Sequence, residues 1–144
     1  MKLIKKAAIL AVFATAVISC SKEDAYVGTK WVSEVAWDTE DLGYDLVTRE
    51  EKLFPVHVVT HESITFNNNK YLAFSYWNSA SYDRTTCEMH TGHWKAGDIS
   101  GKYKYYIKGN NLNIVLSETY APYVIKIERG TLYDALKGMR MTKQ

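Results

Sequence analysis

The chain has little cysteine: two residues in 144, Cys20 and Cys87, so at most one disulfide can brace it. It has no long hydrophobic run either. The longest apolar or small-residue stretch, Ala7 to Ile18, falls short of the roughly 20 residues that a helix needs to cross a bilayer, which excludes a permanent spanning helix there. Charge of one sign is not in excess, with 18 basic against 16 acidic residues. After residue 26 there is hardly any helical periodicity, so a helical bundle is excluded. Catalytic signatures are absent too. There is no nucleophile elbow, no phosphate-binding glycine loop and no helix carrying paired zinc ligands, and the sequence points to no enzyme and to no cofactor.

What is present begins with a cationic start, Met1-Lys2-Leu3-Ile4-Lys5-Lys6, followed by the apolar run and then Val17-Ile18-Ser19-Cys20. That order of parts predicts a secretory signal over residues 1–19. The cysteine placed directly after Ser19 resembles a bacterial lipobox. The resemblance implies cleavage before Cys20, acylation of its thiol and its new amine by palmitate-type chains, and a mature protein held to a membrane by lipid. Ser21 stands where an aspartate would retain the protein at the inner membrane, which implies transfer to the outer membrane. Lys22-Glu23-Asp24 resembles a surface-export tag, the alternative being a solvated tether over residues 20–26. The expected location is periplasmic or on the cell surface.

Cleavage would leave 125 residues, enough for one domain with a real core over residues 27–144. Removing Lys2, Lys5 and Lys6 leaves 15 basic residues against 16 acidic, which lacks the phosphate-neutralising excess of a nucleic-acid binder. Lipidation of Cys20 would also leave Cys87 alone, either buried and inert or a reactive thiol.

Alternation predicts an all-β domain. Trp31, Ser33, Val35 and Trp37 alternate with Val32, Glu34 and Ala36 in a first strand. Asp38 to Glu51 is acidic and lacks alternation, which predicts a loop or a short helix. Phe54 to Thr60 is a strand with Pro55 at its start or edge. Ser63–Phe66 and Tyr71–Trp77 flank Asn67-Asn68-Asn69, a strong hairpin signal. Thr85 to Ala96 is expected as a strand broken at Gly92, with a reversal at Gly97-Asp98. Lys102–Lys108, Gly109-Asn110-Asn111 and Leu112–Ser117 form a second hairpin, with Tyr103, Tyr105 and Ile107 opposing the lysines. Tyr123, Ile125 and Ile127 lie on a further strand. Gly138 to Thr142 supplies the last, with Tyr133 to Lys137 as a possible helical turn. About eight antiparallel strands with short turns suit an up-and-down β-barrel, with a β-sandwich as the alternative.

Gly28-Thr29-Lys30-Trp31, the hairpin Ile64 to Tyr71 and the segment Gly101 to Leu112 together resemble the lipocalin-like domains of small Gram-negative lipoproteins. The resemblance implies a barrel with one closed end and a cavity for an apolar or amphipathic ligand. Tyr71, Ser75 and Trp77 share one strand face, with small residues between the aromatics, and Tyr103, Tyr105 and Tyr123 add aromatic walls with polar tips. These six are the candidate ligand-binding residues. The opposite face, Leu72, Phe74 and Tyr76, is the more apolar, so either face can be the interior, and the aromatics can equally be core.

His57 and His61 fall on one strand face but roughly 13 Å apart, too far to share a metal. Cys87, His90 and His93 lack a fourth ligand, so no metal site is predicted. Two functions follow. One is a lipid-anchored, non-enzymatic module that binds a small apolar or amphipathic ligand in its barrel. The other is a solid-barrel accessory subunit that meets an envelope protein through Asp38–Glu51 and Asn78–Arg84.

Overall fold

The structure is a computed structural model that describes residues 21–90, 92–95 and 97–144. The signal segment 1–19 and Cys20 lie outside the described residues. The domain is all-β and barrel-like. Its strands are β1 (Lys30–Asp45), β2 (Glu51–Phe66), β3 (Tyr71–Ser81), β4 (Cys87–Met89), β5 (Ile99–Lys108), β6 (Asn111–Val115), β7 (Tyr123–Glu128), β8 (Thr131–Asp134), β9 (Met139–Arg140) and β10 (Thr142–Lys143).

All pairings are antiparallel, in the order β10-β1-β2-β3-β5-β6-β7-β8-β9, with β4 beside β1. β9 and β10 are separated only by Met141. One pairs with β8, the other with β1 at Trp31 and Val32, so the path that leaves β1 through β2 returns to β1 at the C-terminus. Counting β9 and β10 as one broken strand and setting β4 aside, eight strands run up and down; the predicted strands Phe54–Thr60 and Ser63–Phe66 are one continuous strand, β2.

The two predicted hairpins form. Asn68 Oδ1 accepts the Lys70 and Tyr71 N–H groups, both at 2.9 Å, which closes the turn between β2 and β3. Gly109 takes a positive φ of 62° in the turn between β5 and β6, a conformation that costs glycine no Cβ clash.

Three expectations are corrected. Asp38 to Asp45 is not loop or helix but the second half of β1, paired with β2 out to Tyr44↔Glu51. Its inward positions hold Gly43 and two buried acids with local donors, Asp41 and Asp45. Asp45 Oδ1 accepts the Val47 and Thr48 N–H groups and its other oxygen pairs with Lys52. These contacts hold the Asp45 carboxyl well below the usual carboxylate range, with the Lys52 bond the largest cause. Among the described residues of Thr85 to Ala96, Cys87–Met89 form the strand, where β1 offers Gly43–Asp45 as a partner. Upstream, Asp83 Oδ1 caps Thr85 and bends the chain; downstream lies a 3-10 turn, His93–Lys95. Thr131–Asp134 is a strand that alternation did not reveal.

The expected linker Ser21–Tyr26 is docked on the barrel. Lys22–Ala25 forms a 3-10 turn at the pole that holds the 67–70 and 109–110 turns. Glu23 Oε1 accepts the Ile107 N–H at 2.6 Å, Asn69 donates to Asp24 at 3.1 Å, and Lys22 Nζ donates to the Gly109 carbonyl. Tyr26 lies against Phe66 and Trp31 with ring centres 5.1 and 6.3 Å away. Residues 21–29 thus close one pole. The segments 46–50, 82–90, 92–95, 97–98, 116–122 and 135–138 stand at the opposite pole, as an up-and-down order requires.

Candidate functional site

Which face is the interior is settled by β2. Its residues Val56, Val58, Thr60, Glu62, Ile64 and Phe66 alternate inward and are all buried, and register sets Leu72, Phe74, Tyr76 and Asn78 of β3 beside them. Tyr71, Ser75 and Trp77 therefore lie on the outer face. Tyr71 packs under Lys102 Nζ, 5.3 Å from its ring centre. Ser75 shares a 2.8 Å hydrogen bond with Ser63. Trp77 stacks on His61 at 4.0 Å and is 45% exposed.

Tyr103, Tyr105 and Tyr123 do face inward, and Tyr105 and Tyr123 flank Ile114 in one cross-strand row. Tyr105 is core: its hydroxyl donates to the Asn68 carbonyl at 2.8 Å and its ring meets Phe66 edge-on. Burial, with the Glu23 and Asp24 charges behind it, pushes its hydroxyl up to about 12. Tyr103 folds over Gly101, so close that a Cβ there would sit 2.7 Å from its hydroxyl. Tyr123 donates its hydroxyl to Asp134 Oδ2. The six candidates are thus divided between two faces and are not assembled into one site. Around them Ile64, Phe66, Leu72, Phe74, Leu112, Ile114, Ile125, Leu132, Met139 and Met141 fill this part of the barrel as one cluster.

Sequence reasoning missed the polar group that sits on this core. Glu62 is 2% exposed and Asp134 fully buried. Asp134 Oδ1 accepts the Leu136 and Lys137 N–H groups at 3.0 and 3.2 Å while Oδ2 accepts the Tyr123 hydroxyl. Neither Glu62 oxygen receives a donor from the described chain, and the Asp134 carboxyl is its neighbour. The contact is satisfied when Glu62 carries a proton and donates it. Burial, then the Asp134 charge and the hydrogen bond to it, raise the Glu62 carboxyl far above its ordinary range, opposed by Lys137. Burial also raises the Tyr123 hydroxyl, helped by the bond to Asp134. Lys137 Nζ covers the Tyr76 ring, 3.9 Å from its centre. The signal was available: an acid at an inward position between Thr60 and Ile64.

Above this group a polar relay crosses the open pole. Trp37 Nε1 donates to Thr60 Oγ1 at 2.9 Å, Thr60 donates to Asn78 Oδ1 at 2.6 Å, and Asn78 Nδ2 donates to the Trp94 carbonyl. The relay ties the 3-10 turn to the end of β3. Between them lies a cleft of about 500 Å³ walled by Trp77, Tyr82 and Trp94, with Arg84, Lys95 and Asp98 among its polar groups. Its size is that of a small-ligand site. A second groove of about 520 Å³, lined mainly by apolar residues such as Leu116, Pro122, Tyr123 and Leu136, lies by the 116–122 segment. Tyr71 and Tyr103 border a third, of about 260 Å³.

The four histidines each face a different carboxylate: His57 with Asp38, His61 with Glu34, His90 with Glu51 and His93 with Asp41. Among the described residues no three His, Cys, Asp or Glu side chains converge as a metal site. Cys87 is buried, and burial followed by the Asp83 and Asp45 charges raises its thiol. A disulfide reagent at pH 8 is therefore expected to leave the Cys87 thiol unmodified for hours in the folded protein and to titrate it at once in 6 M guanidinium. Immediate reaction of that thiol in native buffer would contradict the burial. The chain matches no protein-family model, and no curated protein or solved structure shows significant similarity to it.

Proposed function

We propose that this chain is a non-enzymatic outer-membrane lipoprotein with a lipocalin-like barrel, anchored through acyl chains on Cys20, that holds a small amphipathic ligand at its open pole. The polarity of the fold carries the reading. Residues 21–29 dock on the closed pole, so a lipid on Cys20 would attach there, while the 500 Å³ aromatic and polar cleft opens at the other end. A ligand taken there would come from solution, not from the membrane that holds the protein. Because the apolar cluster packs the interior, this reading takes the rim of the barrel as the binding site.

Two measurements test it. Metabolic labelling with a palmitate analogue is expected to label the wild-type protein and not Cys20→Ala; equal labelling of the two, or none, would end the anchoring reading. Native mass spectrometry of gently purified protein is expected to show a bound small molecule that Trp94→Ala loses. A second reading, a docking subunit for an envelope protein, rests on the edge of β1 between Ser33 and Leu42. No strand covers that edge among the described residues, and Val35 and Trp37 beside it are 39% and 40% exposed. A specific protein recovered by cross-linking, with no small molecule bound, would favour it.

A further inference from the structure

We infer that the cleft between the end of β3 and the His93–Lys95 turn binds a carboxylate-bearing sugar, its rings on the tryptophans and its carboxylate on Arg84 and Lys95. The inference rests on the proposed reading of this cleft as a ligand site and names the chemistry of what enters it. Three aromatic side chains wall the cleft, and none belongs to the buried apolar cluster. Trp77 is braced by the stacked His61, which His61 Nε2 extends to Ser79 at 3.0 Å and Nδ1 to Glu34 at 2.8 Å. Tyr82 and Trp94 stand with ring centres 6.3 Å apart. Such faces pack against the C–H face of a pyranose ring, which is amphipathic in the required sense: apolar above and below, polar at the edge.

The charges decide between a neutral and an acidic sugar. Arg84 lies over the Tyr82 ring at 5.4 Å, and neither Arg84 nor Lys95 is ion-paired with any described carboxylate. Arg84 and Lys95 against the single carboxylate of Asp98 leave the cleft net cationic, which favours an anion, and the guanidinium fork suits a carboxylate. Asp98, also without an ion pair, is placed to accept sugar hydroxyls, which an aliphatic carboxylate would not offer it. A fatty acid would match the other groove, by Leu116 and Leu136, better than this one. The backbone of the site is fixed in advance, since Asn78 holds the Trp94 carbonyl and is itself held by Thr60.

The experiment uses trigalacturonic acid and its methyl ester, which keeps the rings and removes the charge, followed by tryptophan fluorescence and calorimetry on the wild-type protein. The acid is expected to bind at least about tenfold more tightly than the ester, a difference of about 1.4 kcal/mol. Arg84→Gln and Lys95→Gln are expected to remove that preference while unfolding at the wild-type urea midpoint. Raising salt from 0.05 to 0.5 M is expected to weaken the acid and leave the ester unchanged. Equal affinities for acid and ester would overturn the assignment of charge and leave the cleft standing as a ligand site. Tight binding of inorganic phosphate with no binding of the trisaccharide would overturn the sugar. Binding of neither saccharide by folded protein would overturn the inference, while a ligand seen by native mass spectrometry would still support the broader function.

Discussion

Truncating Phe74 to alanine is expected to lower the unfolding free energy by about 3–5 kcal/mol, whereas Tyr71→Ala, three residues earlier on the same strand, costs about 1 kcal/mol. Phe74 is 1% exposed, packs against Tyr123 with ring centres 5.4 Å apart, and lies in the middle of the buried cluster. Removing its ring leaves a void beneath β3, which is hydrogen-bonded to β2 and β5 on its two sides and cannot collapse inward freely. Tyr71 sits on the outer face, where its ring loses a cation contact with Lys102 and little else. Urea titration of the two variants checks the assignment of faces directly. Equal losses, or a larger loss at Tyr71, would mean that β3 is turned the other way round.

The same strand shows why the face was not legible from sequence. Both faces of β3 carry aromatics, Tyr71 and Trp77 on one, Phe74 and Tyr76 on the other, so alternation gives its period without its sign. The sign comes from the neighbouring strand: across the hairpin, Ile64 and Phe66 on β2 set Phe74 and Leu72 inward. β5 had no such ambiguity, because Lys102, Lys104 and Lys108 mark the outer face unaided. The hairpins were legible for a local reason, the Asn-rich turns. The second half of β1 was not, because its inward positions hold acids. The partners that make those positions tolerable, His93 for Asp41 and Lys52 for Asp45, belong to other segments of the chain. β8 is short and ends on an inward Asp134 for the same kind of reason.

Candidate residues were legible singly and not as a site. From sequence, Trp77 reads as a ligand-binding candidate and Asn78–Arg84 as a partner-contact segment, and Trp77, Asn78, Tyr82 and Arg84 all line the cleft. Trp94 is held there by Asn78, which donates to its carbonyl, a contact 16 residues away that no spacing rule supplies. Open-pole exposure follows from strand lengths. β1 and β2 have 16 residues each, but β10 covers only Trp31 and Val32 of β1, so its inward Val35 and Trp37 are left at the rim.

Glu62 gives the last prediction, a stability that falls as pH rises. In the unfolded chain this carboxyl loses its proton near its ordinary value of 4.5; in the fold, burial and the neighbouring Asp134 hold the proton until about pH 9. Between those values the folded state binds a proton that the unfolded state has released. The stabilisation is fully present below pH 4.5, declines by up to about 1.4 kcal/mol per pH unit above it, and is lost as the folded carboxyl ionises. Glu62→Gln keeps the size and a donor for Asp134 and removes the titration. Urea midpoints at pH 5 and pH 8 are expected to drop strongly for the wild type and much less for Glu62→Gln, all other titrating groups being common to both. At pH 8 the variant is then the more stable protein relative to its own value at pH 5. Parallel pH dependences would show that Glu62 is already ionised in the fold and that Lys137, beside Tyr76, compensates it.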